Sequence, residues 1–281
     1  MEYTRRFIPG SSGASLSCCH TEIDRGKPSV LIVLPFGLPL DVARAAFDRL
    51  GPTHNVVTWE TRYILSLDQE FSGTEKLAPD EHVADMLHIL AALQIDTCNL
   101  IGYCSGASIS LLAASRHPEV FTSLILVNGE YMLFKRGHAS TDYQRSIEAF
   151  LPAIATSRRQ ASLIFARMGE ISMASRKGEA SELDKQINLP FSKEEYLFRY
   201  AKTYMAFREL DALALAKEVR QRTFVLTGRL DVHSSMENSE AVGDSIGGCK
   251  RYVDDVGDHY EFCRAGSATL DEIAAYLAEV A

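Results

Sequence analysis

A chain of 281 residues, 46% of them hydrophobic, can bury one large core, or one core carrying an inserted subdomain, without disulfide support. A formal net charge of −8 argues against nucleic acid as a partner, because neutralising phosphates takes a cationic surface. The six cysteines, at positions 18, 19, 98, 104, 249 and 263, form no Cys-x-x-Cys pair and no His/Cys metal spacing, which predicts a reduced chain with free thiols and no metal centre.

The N-terminus, "MEYTRRFIPGSSG", has no apolar run behind its arginines, and no window approaches the roughly 18 apolar residues of a membrane span. A soluble, cytoplasmic protein is expected. Strands are predicted at "SVLIVLP" (29–35) and "NVVTWE" (55–60), short β-branched runs of the kind that suit a parallel sheet buried on both faces. "PDEHVADMLHILAALQ" then reads as a helix with acidic residues in its first turn and with Val83, Leu87, Leu90 and Leu93 on one side. Further strands follow at "TCNLIGY" (97–103) and "SLILVNG" (123–129). From Gly129 to Arg222 the rhythm breaks, and only helical patterns appear, punctuated by Gly137, Gly169, Gly178 and Pro190. Strands return at "TFVLTG" (223–228) and "KRYVDDV" (250–256), and "LDEIAAYLAEVA" closes the chain as a helix. Alternating strand and helix predict an α/β fold with a mostly parallel, doubly wound sheet. Residues 1–129 and 222–281 would form the core and residues 130–221 an inserted helical cap, whose methionines and aromatics, such as Met132, Met173 and Phe207, would pack between helices or line a pocket.

Charge is uneven. Residues 131–180 carry eight Lys or Arg against four Asp or Glu, a net of +4 that leaves −12 on the rest. Such a segment is either a solvated helical face or a docking surface for an acidic partner.

"LIGYCSGASIS" (100–110) runs from a strand through a glycine-flanked turn into a small-residue helix, the pattern Gly-x-Nuc-x-Gly of a nucleophile elbow. Residues two before and two after the nucleophile must lack bulk. Cys104 as nucleophile puts Gly102 and Gly106 there; Ser105 would put Tyr103 and Ala107 there, and the ring would clash with the entering helix. Cys104 is therefore the candidate nucleophile.

With "GYCSG" at this turn, the chain resembles the α/β-hydrolase-fold proteins over nearly its whole length. That resemblance implies the chain order nucleophile, acid, histidine. Asp231, after the strand "VLTG", matches the acid position, and His259 in "VDDVGDHYEF" matches the histidine position; Glu130 is the alternative acid, a site some members use. His259 would take and return protons while Asp231 fixes its tautomer. The oxyanion hole implied by the family comprises the backbone N–H of Ser105 and that of Leu38, since "FGLPLD" resembles a His-Gly-x-Pro motif with Phe36 in the histidine place. His20, His54, His82, His88, His117, His138 and His233 read as surface or satisfied structural groups, His233 keeping a claim through its closeness to Asp231. Arg62, beyond a strand end, could meet a phosphate or form an ion pair.

A cysteine elbow keeps an acyl group as a thioester, and exchange between thioesters is nearly balanced in free energy, which favours transfer over hydrolysis. Cysteine elbow and cap together resemble the stand-alone aminoacyltransferases of nonribosomal peptide biosynthesis (syringomycin and coronamic acid type). The resemblance implies an acyl, or aminoacyl, transferase working between acyl or peptidyl carrier protein domains. No cofactor of its own is implied, because the phosphopantetheine arm belongs to the partner. A type II thioesterase, a small cysteine hydrolase of the dienelactone hydrolase kind and a non-enzymatic binding module are the alternatives.

Overall fold

The strands are β1 (Thr4–Pro9), β2 (Ser15–His20), β3 (Ser29–Val33), β4 (Asn55–Trp59), β5 (Cys98–Tyr103), β6 (Phe121–Val127), β7 (Arg222–Gly228) and β8 (Lys250–Asp254). In the computed structural model, which describes residues 3–175 and 180–280, they form one sheet in the order β1-β2-β4-β3-β5-β6-β7-β8. From β4 to β8 every pairing is parallel, and β1 and β2 add antiparallel at one edge. Arg176, Lys177 and the side chain of Met173 lie outside the described residues.

Strand period explains the layers. Successive side chains point to opposite faces, so Leu31, Val33, Leu100, Leu124 and Leu126 enter one core while Val30, Ile32, Ile101, Ile125 and Val127 enter the other. Both faces are therefore apolar, and each needs a layer of helices. In chain order these are α1 (Arg44–Leu50), α2 (Pro79–Ala92), α3 (Ser105–Arg116), α4 (Asp142–Ile154), α5 (Arg158–Ser175), α6 (Glu182–Ile187), α7 (Glu194–Phe207), α8 (Ala212–Glu218), α9 (Met236–Ser245) and α10 (Ala268–Val280). α1 and α10 cover one face, and α2, α3 and α9 supply side chains to the other core. All the regular structure described between β6 and β7 is helical; α4, α5 and α7 pack together, whereas α8 packs on α3 and α9.

Two expectations change. The β1–β2 hairpin is absent from the sequence reading: β1 exposes all but Ile8, so its charged "TRRFIP" shows no core pattern, as befits an edge strand. On α2 the buried set includes Met86 and Ile89 beside Val83 and Leu90, with Leu87 only half-buried. Asp85 also faces inward, because it pairs with Arg62. Both side chains are fully buried, Arg62 Nε donates to Asp85 Oδ2 at 2.8 Å, and Arg62 Nη2 reaches Ser11 Oγ at 2.5 Å. Arg62 is thus an internal ion pair that ties the hairpin turn to α2. Among the described residues, no helix is long and apolar enough to cross a membrane.

Candidate active site

β5 delivers its last residue into a sharp reversal. Cys104 has φ 52° and ψ −121°, a conformation costly for any residue with a Cβ, and α3 starts immediately after it. The turn is clamped through its backbone: Cys104 N–H donates to Val127 O at 3.0 Å, and Cys104 O accepts from Ala107 N–H and Glu130 N–H at 3.0 Å each. The flanking glycines are required by packing. A Cβ on Gly102 would lie 2.6 Å from Ala107 Cα, and one on Gly106 would lie 2.1 Å from Val33 O of β3. Gly106 is needed, then, for the approach of α3 to the neighbouring strand rather than to Gly102.

The structure brings Cys104, Asp231 and His259 together. His259 Nδ1 lies 2.7 Å from Asp231 Oδ2, and the Asp231 carboxylate is fully buried. Its other oxygen accepts the N–H groups of His233 at 2.7 Å and Ser234 at 2.9 Å, so every strong contact holds it facing the imidazole. Burial pushes the His259 pKa down, but the charges of Cys104 and Asp231 and hydrogen bonds to both outweigh it and raise the value to about 10. An imidazolium is therefore the resting form, with Asp231 on one side and the Cys104 sulfur on the other. Glu130, the alternative acid, does not bond His259: its oxygens accept from Met132 N–H at 2.9 Å and Gln144 Nε2 at 2.5 Å.

Ser105 opens α3, so its N–H is one of the first four in the helix and has no intrahelical acceptor. Its hydroxyl accepts from Phe36 N–H at 3.1 Å and thereby holds the β3 loop where the expected histidine is missing. Phe36 itself packs edge-on against Phe207 and beside His82. Leu38 borders the same pocket, but its N–H donates to Pro35 O at 3.2 Å across the turn. His82 is buried, not solvated, and its Nε2 lacks a partner; burial lowers its pKa to about 3.

Three residues of the site escape the sequence reading in whole or part. Asn128, at φ 45°, donates through Nδ2 to the carbonyls of Asp258 and His259 at 3.1 Å each and accepts Gly228 N–H at 2.9 Å. It thus ties the histidine loop to the end of β7. The "NG" after a strand marks the turn but not this role. Tyr103 donates its hydroxyl to His259 O at 2.9 Å. His233 stacks on His259 with ring centroids 4.9 Å apart, and its Nε2 meets Tyr260 OH at 3.0 Å. Burial and the neighbouring His259 charge lower its pKa to about 4, so it stands as a neutral ring beside the imidazolium. Asp231, His233 and His259 lie close enough to suit a metal, yet His259 Nδ1 is engaged with Asp231 Oδ2 and His233 Nε2 with Tyr260 OH, while His233 Nδ1 is buried without a partner.

Above Cys104 opens a pocket of about 770 Å³ including its mouth, bounded by β-strand loops below and by α4, α6 and α7 above. Its walls are mostly aromatic and aliphatic, with Tyr143, Ile147, Tyr200 and Phe207 among them. Among the described residues, four of the eight cations in the basic segment are paired: Lys135 with Glu209, Arg136 with Asp211, Arg158 with Glu195 and Arg145 with Asp142. Three of those acids lie beyond residue 180, which is why a count confined to 131–180 overstates the surface charge.

A nucleophile on a strand-to-helix elbow, followed by acid and histidine on loops after later strands, is the arrangement of one fold. The chain has the α/β-hydrolase fold. A family profile described as alpha/beta hydrolase fold matches residues 40–165. An L-allo-isoleucyltransferase from Pseudomonas savastanoi pv. glycinea is 23% identical over 245 residues, covering 85% of this chain and 83% of that protein. Among solved structures, an esterase from Exiguobacterium antarcticum superposes with a TM-score of 0.75 at 17% identity, covering 98% of this chain and 100% of the other. A hydrolase from Pseudomonas aeruginosa gives 0.74 at 17% identity, with 98% of each chain covered. The fold and the assembled Cys104, His259 and Asp231 site support an enzyme.

Proposed function

We propose that the protein is an acyltransferase, moving a thioester-bound acyl or aminoacyl group between phosphopantetheinyl carrier proteins of a natural-product pathway through an acyl-enzyme on Cys104. The observation that carries this reading is a cysteine, not a serine, on a strained elbow beside an imidazolium held by a buried carboxylate. The likeness to a protein named L-allo-isoleucyltransferase supports it.

In this reading the Cys104 thiolate attacks the carbonyl carbon of the loaded carrier's thioester, forming a C–S bond and an oxyanion. Ser105 N–H donates to that oxyanion; Leu38 N–H does so too, since a full negative charge outcompetes its long bond to Pro35 O. Collapse breaks the original C–S bond, and the leaving pantetheine sulfur takes the proton from His259. The acyl group now sits on Cys104. A second carrier's thiol gives its proton to His259, attacks the same carbon and departs acylated, restoring the thiolate and imidazolium. Asp231 stabilises the imidazolium each time it forms. Because each step exchanges one thioester for another, the path is reversible and no step runs steeply uphill.

Incubation with an acyl-loaded carrier should add the acyl mass to Cys104, and Cys104→Ala should abolish the adduct. A second, unloaded carrier should then receive the group. Release of free acid alone would establish the other reading, a thioesterase or related cysteine hydrolase.

A further inference from the structure

The acyl pocket contains a carboxylate that the reaction does not use. Glu130 is partly buried and lines the pocket with Cys104 and His259. Asp231 already serves His259, and among the described residues no Lys or Arg forms an ion pair with Glu130. Glu148 makes the contrast: it also lies on the cap side, but Arg208 pairs with it and Tyr204 OH donates to it at 2.6 Å. The His259 imidazolium acts on Glu130 through its charge alone, without a hydrogen bond, and a carboxylate among apolar walls with no bonded cation is costly unless one arrives.

Glu130 is also held as a binding group would be. Its N–H donates to Cys104 O at 3.0 Å and its carbonyl accepts from Ser108 Oγ at 2.7 Å, so its backbone is fastened to the elbow. Gln144 Nε2 donates to Oε2, and the amide cannot turn its oxygen there instead, because Gln144 Oε1 already accepts Thr141 N–H at 2.8 Å in the capping box of α4. Each carboxylate oxygen thus has one donor and a free lone pair, which suits an ammonium with three N–H groups. The α-ammonium of an aminoacyl thioester is two bonds from the carbonyl that Cys104 attacks. Tyr143 and Tyr200 line the same pocket and offer ring faces of the kind that attract a cation, and Phe134, Ile147 and Phe207 leave an apolar wall for a hydrophobic side chain.

We propose that Glu130, fixed by Gln144, receives the α-ammonium group of an aminoacyl thioester, which makes aminoacyl groups with apolar side chains the substrate class. The assignment rests on the acyl-enzyme at Cys104. Burial, opposed by the Gln144 and Met132 hydrogen bonds, holds the Glu130 pKa above the ordinary carboxylate value, so an incoming ammonium also stabilises the ionised form.

The test uses leucyl-pantetheine and 4-methylpentanoyl-pantetheine, which differ only in the ammonium group. Adduct formation on Cys104, followed by intact-protein mass spectrometry, should be at least about tenfold faster with leucyl-pantetheine, and Glu130→Gln should bring that ratio towards one. A wild-type ratio near one overturns the assignment, as does a Glu130→Gln variant that slows both thioesters alike while keeping their ratio. If that variant does not fold, the wild-type ratio divided by the ratio for a small free thiol, which removes the inductive effect of the ammonium, still decides, and Gln144→Ala, which frees the carboxylate, should lower it. Equal adduct from both thioesters removes the ammonium site and leaves the acyl-enzyme standing; no adduct from either removes both.

Discussion

Asn128→Ala is expected to cost about 2–4 kcal/mol of stability and to slow Cys104 acylation by an order of magnitude or more, although residue 128 touches no reacting atom. The side chain makes three hydrogen bonds, to Asp258 O, to His259 O and from Gly228 N–H. Removing it does not orphan His259 O, which keeps the Tyr103 hydroxyl at 2.9 Å. Gly228 N–H, which is buried, and Asp258 O, which is partly so, lose the Asn128 bonds, at about 1–3 kcal/mol per stranded group. Alanine must also take φ 45°, which asparagine tolerates better. Asn128→Gly relieves that strain and should recover the strain part of the loss alone. The loop that Asn128 ties down carries His259, and a displacement of the base by a fraction of an ångström is enough to weaken proton transfer. Urea denaturation measures the first effect and the rate of Cys104 adduct formation the second. Stability within about 0.5 kcal/mol of the parent, with an unchanged rate, would refute the claim that Asn128 sets the position of the histidine loop.

Other substitutions separate packing from chemistry. Because the His259 pKa lies near 10 in the folded chain and near 6.5 in an unfolded one, its stabilising effect is complete below about pH 6.5 and is lost as pH rises towards 10; urea midpoints should therefore fall between about pH 7 and pH 10, and a level midpoint would contradict the raised value. Gly106→Ala should prevent folding, since its Cβ would meet Val33 O at 2.1 Å; soluble, active Gly106→Ala protein would contradict the elbow packing. Asp85→Asn removes the fully buried partner of Arg62 and leaves it Glu81 at 3.4 Å, so it should cost about 3 kcal/mol, the low end for breaking a buried pair, by urea titration while leaving acylation of the folded fraction unchanged. Tyr103→Phe removes one hydrogen bond to His259 O, about 1 kcal/mol, and should reduce the acylation rate only modestly.

The parallel core and the sharp elbow at Cys104 were legible because both depend largely on local pattern. β3, β5, β6 and β7 are continuous apolar runs, and the glycine at 102 answers a steric demand felt within five residues, whereas Gly106 follows the elbow pattern but answers to Val33 O of the neighbouring strand. The edge hairpin was not, since β1 buries only Ile8 and leaves hydrophobic period no signal to show. Pairing across the fold was equally hidden. Arg62 reads as a phosphate contact or half of an ion pair, with no partner to name until α2 brings Asp85 against it, and the basic stretch at 131–180 reads as a charged surface until Glu195, Glu209 and Asp211 fold back onto part of it. His233 was linked to Asp231 by spacing alone, but its stacking on His259 depends on two loops separated by more than twenty residues.

What keeps the site in register is the sheet itself. Two residues with a Cβ in left-handed backbone sit at the ends of adjacent parallel strands, Cys104 after β5 and Asn128 after β6, and each is fastened to the next strand over: Cys104 N–H to Val127 O, Asn128 N–H to Leu226 O at 2.9 Å. Glu130 N–H then returns to Cys104 O, while the Asn128 side chain crosses to Gly228 and to the histidine loop. Strain at either reversal is therefore opposed by bonds anchored in buried strands, where yielding would break the sheet as well as the turn. A slip of one residue between β5 and β6 would invert the side chains of a strand and separate all of these partners at once. The same argument ranks the variants: damage at Gly106 or Asn128, where the loops join the sheet, should exceed damage at Tyr103, which supports a single carbonyl already held by another donor.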